Sequence, residues 1–162
     1  MLAAGNTDLL EGFTWGWRTL SPNGPFADGK AYGTPDNNKV MIFMTDGMNN
    51  WGAESNHNKS IYSPFGYFVN NRLGIGATTA SAARTQLDNR TLQACTNAKN
   101  AGITVYTVGF SVSTDPIDTA GKTLLQNCAS SPKLAYIASN SSEIVAVFEE
   151  IARNIGGLLI TQ

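Results

Sequence analysis

The sequence has 162 residues, of which 42 % are apolar and 14 % are charged, and its net charge is −1. This balance excludes a disordered chain, and the absence of a basic run argues against a nucleic-acid partner. No apolar run approaches the length of about eighteen residues that a membrane span needs, and we expect any membrane anchor to lie in a segment upstream of this chain. The length fits one domain, or a large piece of one.

The first predicted elements are a helix and a strand, separated by a loop. Apolar residues recur at helical spacing over residues 8–20, and Thr7 or Asp8 is the expected capping residue. A turn-rich loop over 22–38 leads to an apolar run at 39–45, which predicts a strand. Because this run does not alternate with polar residues, we expect the strand to be covered on both faces, as in a parallel sheet.

A long polar and aromatic insertion follows this strand, from residue 47 to 80. It has no clear period, and we predict one short extended piece within it, at 67–69. The remaining predicted elements are helices over about 81–100 and 118–128, strands over 103–110 and 134–138, and a last helix from Asn140 that ends at Gly156-Gly157 before an apolar tail at 158–160. This alternation predicts an α/β fold with an open parallel sheet and right-handed crossovers.

Two oxygen-bearing side chains stand where such a sheet binds ligands, beyond the carboxyl ends of its strands. Asp46 directly follows the first strand, and Thr7 directly precedes the first helix. Taken alone, Asp46-Gly47 is explained by an ordinary turn. Together with Thr7, however, it suggests a site for a hard cation such as Mg²⁺.

Several motifs resemble the second half of a von Willebrand factor A-type domain and, more narrowly, the TadG-like proteins of tight-adherence (Tad/Flp) pilus assembly. The matching motifs are Thr7-Asp8-Leu9-Leu10-Glu11-Gly12, Trp15-Gly16-Trp17-Arg18, Leu20-Ser21-Pro22, Met44-Thr45-Asp46-Gly47, Tyr62, Gly66-Tyr67, the pair Cys95 and Cys128, and the closing Leu158-Leu159-Ile160-Thr161-Gln162. The resemblance spans nearly the whole chain. It implies a Rossmann-like, three-layer open parallel sheet that lacks its first strands.

The resemblance also implies part of a metal-ion-dependent adhesion site. Thr7 matches the family's second metal-binding loop and Asp46 its third, but the Asp-x-Ser-x-Ser motif of the first loop does not occur in this sequence. The chain would therefore start inside the A-type domain, and we expect Mg²⁺ binding to be weak or absent. The strand at 39–45 would become a sheet edge through which the chain associates with itself.

The two cysteines, Cys95 and Cys128, permit one disulfide, although their number alone leaves a pair of reduced core thiols equally open. The resemblance implies an exported domain, in which a disulfide is favoured.

Aromatic residues of the insertion are candidates for contact with a protein partner. We predict this contact for Trp51, Tyr67 and Phe68, because aromatic side chains anchor interfaces. The alternative, a loop that folds its own aromatics inward, has equal support. Trp17, by contrast, lies on the apolar stripe of the first helix and should pack in the core.

The resemblance implies a non-enzymatic protein-interaction domain of a bacterial cell-envelope protein, involved in Tad/Flp pilus assembly or surface adhesion. It would lie on the periplasmic or extracellular face, anchored to the inner membrane through an upstream segment. The alternative function is a metal-dependent hydrolase that uses Asp46, but no nucleophile–base pair accompanies this residue. The single histidine, His57, sits in the polar insertion and fits an exposed loop residue. A third alternative is an incomplete gene product without an independent role.

Overall fold

The computed structural model describes residues 6–74, 76 and 78–160. The main elements are helices α1 (Leu9–Leu20), α2 (Ala80–Asn100), α3 (Thr119–Cys128) and α4 (Ser141–Ile160), and strands β1 (Lys39–Thr45), β2 (Ile103–Phe110) and β3 (Ala135–Ala138). Short 3₁₀ helices lie at Phe68–Asn70 and Pro132–Leu134. The four predicted helices and the three predicted sheet strands are present, and their bounds agree to within one residue except at the end of α4.

The strands form a parallel sheet with β2 in the centre, in the order β1-β2-β3. Lys39 pairs with Ile103 at one end of β1 and Thr45 with Gly109 at the other, while β3 pairs with the second half of β2. Helices cover both faces of this sheet. The architecture is therefore α/β, a Rossmann-like three-layer open parallel sheet of the type found in von Willebrand factor A-type domains.

The first face of the sheet carries α1, α2 and α3 and holds the larger core. Phe13 of α1 is fully buried and meets Phe43 of β1 edge to face, with ring centroids 5.2 Å apart. Asp8 caps α1, because its side chain accepts a hydrogen bond from the amide of Glu11. Trp17 packs at the margin of this core, as its place on the apolar stripe predicted.

The second face is covered by α4, which lies over β2 and β3. Ile151 of α4 is fully buried against Tyr106 and Val108. On β1 the same face is largely open, since Ile42 and Met44 are 40 % and 45 % exposed. The prediction that β1 is covered on both faces is therefore wrong, because α4 reaches only the start of this edge strand, where Val40 packs against the α4 cluster.

The segment between β1 and α2 has an apolar cluster of its own. Trp51, Phe68 and Leu73 are buried against Ala83 and Leu87 of α2. The extended piece predicted at 67–69 is wrong, since a 3₁₀ helix begins at Phe68. In this short helix the Phe68 ring packs against the Trp51 ring, with centroids 4.9 Å apart. An extended strand would instead place successive side chains on opposite faces.

The last helix is longer than predicted. It continues through Gly156 and Gly157 to Ile160, so these glycines do not end it, and residues 158–160 are helical rather than a separate tail. Glycine lowers helix stability without forbidding helical backbone, which makes it a weak stop signal when no left-handed residue follows. Among the residues that the structure describes, no helix combines the length and apolarity needed to cross a membrane.

Candidate functional site

The loop after β1 brings Asp46 and its neighbours to the carboxyl edge of the sheet. Thr45 Oγ1 accepts a hydrogen bond from the amide of Gly47 and donates one to its carbonyl, both at 3.1 Å, and this closes a tight turn. Asp46 is exposed at the tip of this turn. The carboxylate has no hydrogen-bond or ion-pair partner among the described residues, so it is accessible to a ligand.

Thr7 packs against the same turn. A Cβ atom placed on Gly47 would lie 3.1 Å from Thr7 Oγ1, so glycine at this position lets the two loops approach closely. The Thr7 carbonyl also accepts a hydrogen bond of 2.9 Å from the amide of Asn50. The structure therefore places Thr7 beside Gly47, the residue that follows Asp46, at one edge of the sheet.

A concavity of about 490 Å³ opens at this edge, lined among others by Thr7, Gly47, Ser81, Arg84 and Asp115. Asp115 lies after β2, in a position that does not match the metal-binding motif of the resemblance. The fold nevertheless brings it to the same concavity as Thr7. Within the described part of the chain, no group of three or more His, Cys, Asp or Glu side chains is arranged to hold a metal ion.

Arg84 adds a fixed positive charge to the concavity. Its guanidinium binds both carboxylate oxygens of Asp118, at 2.6 and 2.7 Å, and its Nε lies 3.6 Å from Asp88 Oδ2. The hydrogen bonds from Arg84 lower the pKa of Asp118, whereas burial raises the pKa of Asp88. The carboxylates of Asp118 and Asp88 therefore offset the positive charge of Arg84, and this cluster gives no net repulsion of a cation.

Asn49 organises the same edge and was missed by sequence reasoning. It is 1 % exposed, and its side-chain oxygen accepts a hydrogen bond of 2.8 Å from the amide of Leu9. An asparagine after a strand usually indicates a turn, so the sequence carries no signal that this side chain is buried.

The aromatic residues proposed for partner contact divide into two groups. Trp51 and Phe68 are each 3 % exposed, so neither side chain is available for the predicted contact with a protein partner. Both fit the alternative, in which the loop folds its own aromatic residues inward. Tyr67 is partly buried and meets Tyr62 edge to face at 5.2 Å. Tyr62 is 69 % exposed and is the aromatic residue of this loop most available to a partner. From the sequence, Tyr62 is named only as part of the family resemblance, and no partner contact is predicted for it.

The predicted disulfide is present. Cys95 and Cys128 are bonded, with Cα atoms 5.1 Å apart, and the bridge joins α2 to α3 within the first-face core. Disulfides persist in oxidising compartments, which is in keeping with a domain outside the cytoplasm.

Comparisons with known proteins show likeness at the level of fold. No family model matches the chain, and no curated protein sequence matches it. The pilus adhesin SpaC from Lactobacillus rhamnosus GG is similar in two crystal structures: the open conformation with a TM-score of 0.58 and 21 % identity, and a second form with 0.56 and 17 %. Both alignments cover 94 % of this chain and 19 % of the adhesin.

Proximal thread matrix protein 1 from the mussel byssus is a further structural neighbour, with a TM-score of 0.51 and 19 % identity. That alignment covers 91 % of this chain and 26 % of the matrix protein. The chain thus spans about a fifth to a quarter of the length of these solved proteins, and what it shares with them is the three-layer α/β fold.

Proposed function

We propose that this chain is a non-enzymatic protein-interaction domain of a bacterial cell-envelope protein, TadG-like in type, that acts in Tad/Flp pilus assembly or surface adhesion. Its ligand in this proposal is a protein, bound at the carboxyl edge of the sheet. The cation site at this edge is partial: Thr7 and Asp46 supply two of its ligands, and Mg²⁺ is held weakly or not at all.

The observation that carries the proposal is the packing of Thr7 Oγ1 against Gly47, next to Asp46. Thr7 and Gly47 are forty residues apart in sequence, and their loops meet at the carboxyl edge of the parallel sheet, where open α/β sheets bind ligands. Had the fold placed Thr7 and Asp46 at opposite ends of the sheet, the partial adhesion site would have no structural basis.

Two further observations support this proposal. The Cys95–Cys128 bridge fits the periplasmic or extracellular face of a cell envelope. The name of the structural neighbour SpaC, a pilus adhesin, points to the same broad class of adhesive proteins. The hydrolase alternative has no such support, since Asp46 has no hydrogen-bonded nucleophile or base among the described residues.

The test is direct binding between the purified domain and purified components of a Tad/Flp pilus, above all the pilin, measured by biolayer interferometry. We expect binding that Asp46→Ala and Thr7→Ala weaken. Asp28→Ala is the matched control, since it also removes an exposed carboxylate but lies by the start of β1, at the other end of the strand. The proposal is overturned if no pilus component binds, or if the control weakens binding as much as Asp46→Ala does.

A further inference from the structure

A second cavity, of about 410 Å³, lies between the start of α1 and the insertion that follows β1. We call it the Tyr62 cavity. The lining residues that matter here are Asn6, Asp8, Asn50, Ile61, Tyr62 and Leu87. They provide one carboxylate, one exposed aromatic ring, two side-chain amides and an apolar wall, and Asn50 also lines the concavity beside Thr7, so the two sites are neighbours.

The wall that carries Tyr62 is held in place by hydrogen bonds on both sides. Trp51 Nε1 donates to the Ile61 carbonyl at 3.1 Å, and the Trp51 ring is itself buried against Phe68. Beyond Tyr62, the backbones of Ser63 and Gly66 bond to each other in both directions, at 2.9 and 2.8 Å. The positive φ of Gly66, +81°, permits this narrow turn. The cavity is therefore preformed, which lowers the entropic cost of binding.

The charge of the Tyr62 cavity is negative. Asp8 Oδ1 accepts the hydrogen bond of 3.0 Å that caps α1 at Glu11, and the carboxylate has no ion pair among the described residues. No lysine or arginine is among the residues that line the cavity, so a cation brought by a ligand would meet a carboxylate that lacks a counter-charge.

We propose that the Tyr62 cavity binds the basic side chain, lysine or arginine, of the protein partner, an inference that rests on the proposed function. The cation pairs with Asp8 and lies near the face of the Tyr62 ring, which attracts positive charge. The methylene stem of the same side chain packs on Ile61 and Leu87. Of the common protein side chains, only lysine and arginine combine a long apolar stem with a terminal positive charge.

The test compares two capped pentapeptides, Gly-Gly-Lys-Gly-Gly and its norleucine counterpart, which keeps the stem and lacks the charge. NMR titration of the native domain near neutral pH reports both the affinity and the amides that shift. We expect the lysine peptide to bind about threefold to tenfold more tightly than the norleucine peptide. The largest shifts should fall on residues 6–8 and 61–64.

Asp8→Asn is the decisive variant, because asparagine caps a helix as well as aspartate does and removes only the charge. It should abolish the preference for lysine, whereas Asp28→Asn, the same change at an exposed residue outside the cavity, should leave it intact. Equal binding of the two peptides overturns the inference, as does no binding up to about 10 mM or an equal loss in both variants. The same NMR titration is repeated with a neutral hexose. Hexose binding without any preference for the lysine peptide also overturns the inference, because it would indicate a sugar site.

The two proposals fail separately. If the lysine preference is absent while purified pilus components still bind, only the present inference is wrong. If the preference is present and no pilus component binds, the basic side chain belongs to another protein and the proposed function is wrong.

Discussion

The buried side-chain amide of Asn49 donates a hydrogen bond of 2.8 Å to Asp88 Oδ1. The same side chain accepts a hydrogen bond from the amide of Leu9 and lies 3.3 Å from Thr91 Oγ1. It thereby fastens the first turn of α1, the loop after β1 and the middle of α2 to one another. The carboxyl edge of the sheet, where both proposed sites lie, depends on this connection.

We expect Asn49→Ala to lower the free energy of unfolding by about 2 to 4 kcal/mol, because it leaves a buried amide and a half-buried carboxylate without their partner. Urea denaturation measures this loss. The adjacent Asn50→Ala is the control, since Asn50 is exposed and should change the stability by less than about 0.5 kcal/mol. Equal effects of the two substitutions would show that the amide network does not support this edge.

The Arg84–Asp118 pair should make stability depend on pH in acid solution. The hydrogen bonds from Arg84 lower the pKa of Asp118 below its ordinary value of 3.8. A carboxyl whose pKa is lower in the folded state stabilises the protein above its unfolded pKa, and this contribution is lost as the pH falls through the folded value.

Wild type should therefore be more stable than Asp118→Asn above pH 3.8, and the difference should vanish in more acid solution. We expect less than about 1 kcal/mol, because the Asp118 side chain is 42 % exposed and solvent screens the pair. Asparagine still caps α3 at Gly121, so the comparison isolates the charge. Denaturant titrations across this pH range measure the difference, and one that persists unchanged at acid pH would contradict the pairing.

The disulfide should contribute substantially to stability. It joins residues 33 positions apart, and closing a loop of that length stabilises by about 3 to 4 kcal/mol on the chain-entropy model. The double variant Cys95→Ala/Cys128→Ala should lose about this much in denaturant titrations. Thiol counting on the denatured, unreduced wild type should find no free thiol, and two free thiols would show that the bridge does not form.

Mg²⁺ should bind weakly or not at all. Thr7 and Asp46 supply one hydroxyl and one carboxylate, which hold Mg²⁺ poorly when water fills the remaining positions. Titration calorimetry with Mg²⁺ should give no micromolar binding, and Asp46→Ala should leave the titration unchanged. Micromolar affinity that disappears in Asp46→Ala would contradict this expectation.

The β1 edge should make the chain associate. β1 has seven residues, and between Val40 and Met44 it contains no charge, proline or bulge to block pairing with another strand. We expect sedimentation at high concentration to show association that Met44→Lys weakens. Ile137→Lys is the matched control, because Ile137 is 45 % exposed, as Met44 is, but lies on the four-residue strand β3. A single monomeric species of the wild type at high concentration would contradict the prediction.

The sequence predicts those parts of the fold in which local pattern and final burial agree. The stripe containing Leu87, Thr91, Cys95 and Ala98 is buried in α2 as its spacing indicates. Residues 103–110 form the central strand, because a β-branched apolar run suits a strand that is covered on both faces.

The missed features depend on contacts between distant segments. The strand β1 is open on one face, whereas β2 is covered on both, but the apolar runs of the two strands do not reveal this difference. It depends on how far α4 extends over the sheet. The sequence around Trp51 suggests a free loop aromatic, but in the fold its side chain is buried against Phe68 and α2. Asp115 joins the Thr7 concavity only through the turn after β2. Such placements follow from the assembled sheet, which periodicity and capping signals do not describe.

The cover of the sheet's second face has a consequence for synthesis. Tyr106 and Val108 are buried by α4, the last of the described elements to leave the ribosome. At a rate of about 5 to 20 residues per second, the twenty residues of α4 take about one to four seconds to be made, and for that interval the face stays bare. During that interval the nascent chain exposes an apolar surface to any factor that binds unfolded polypeptides, and this face is covered only when α4 folds onto it.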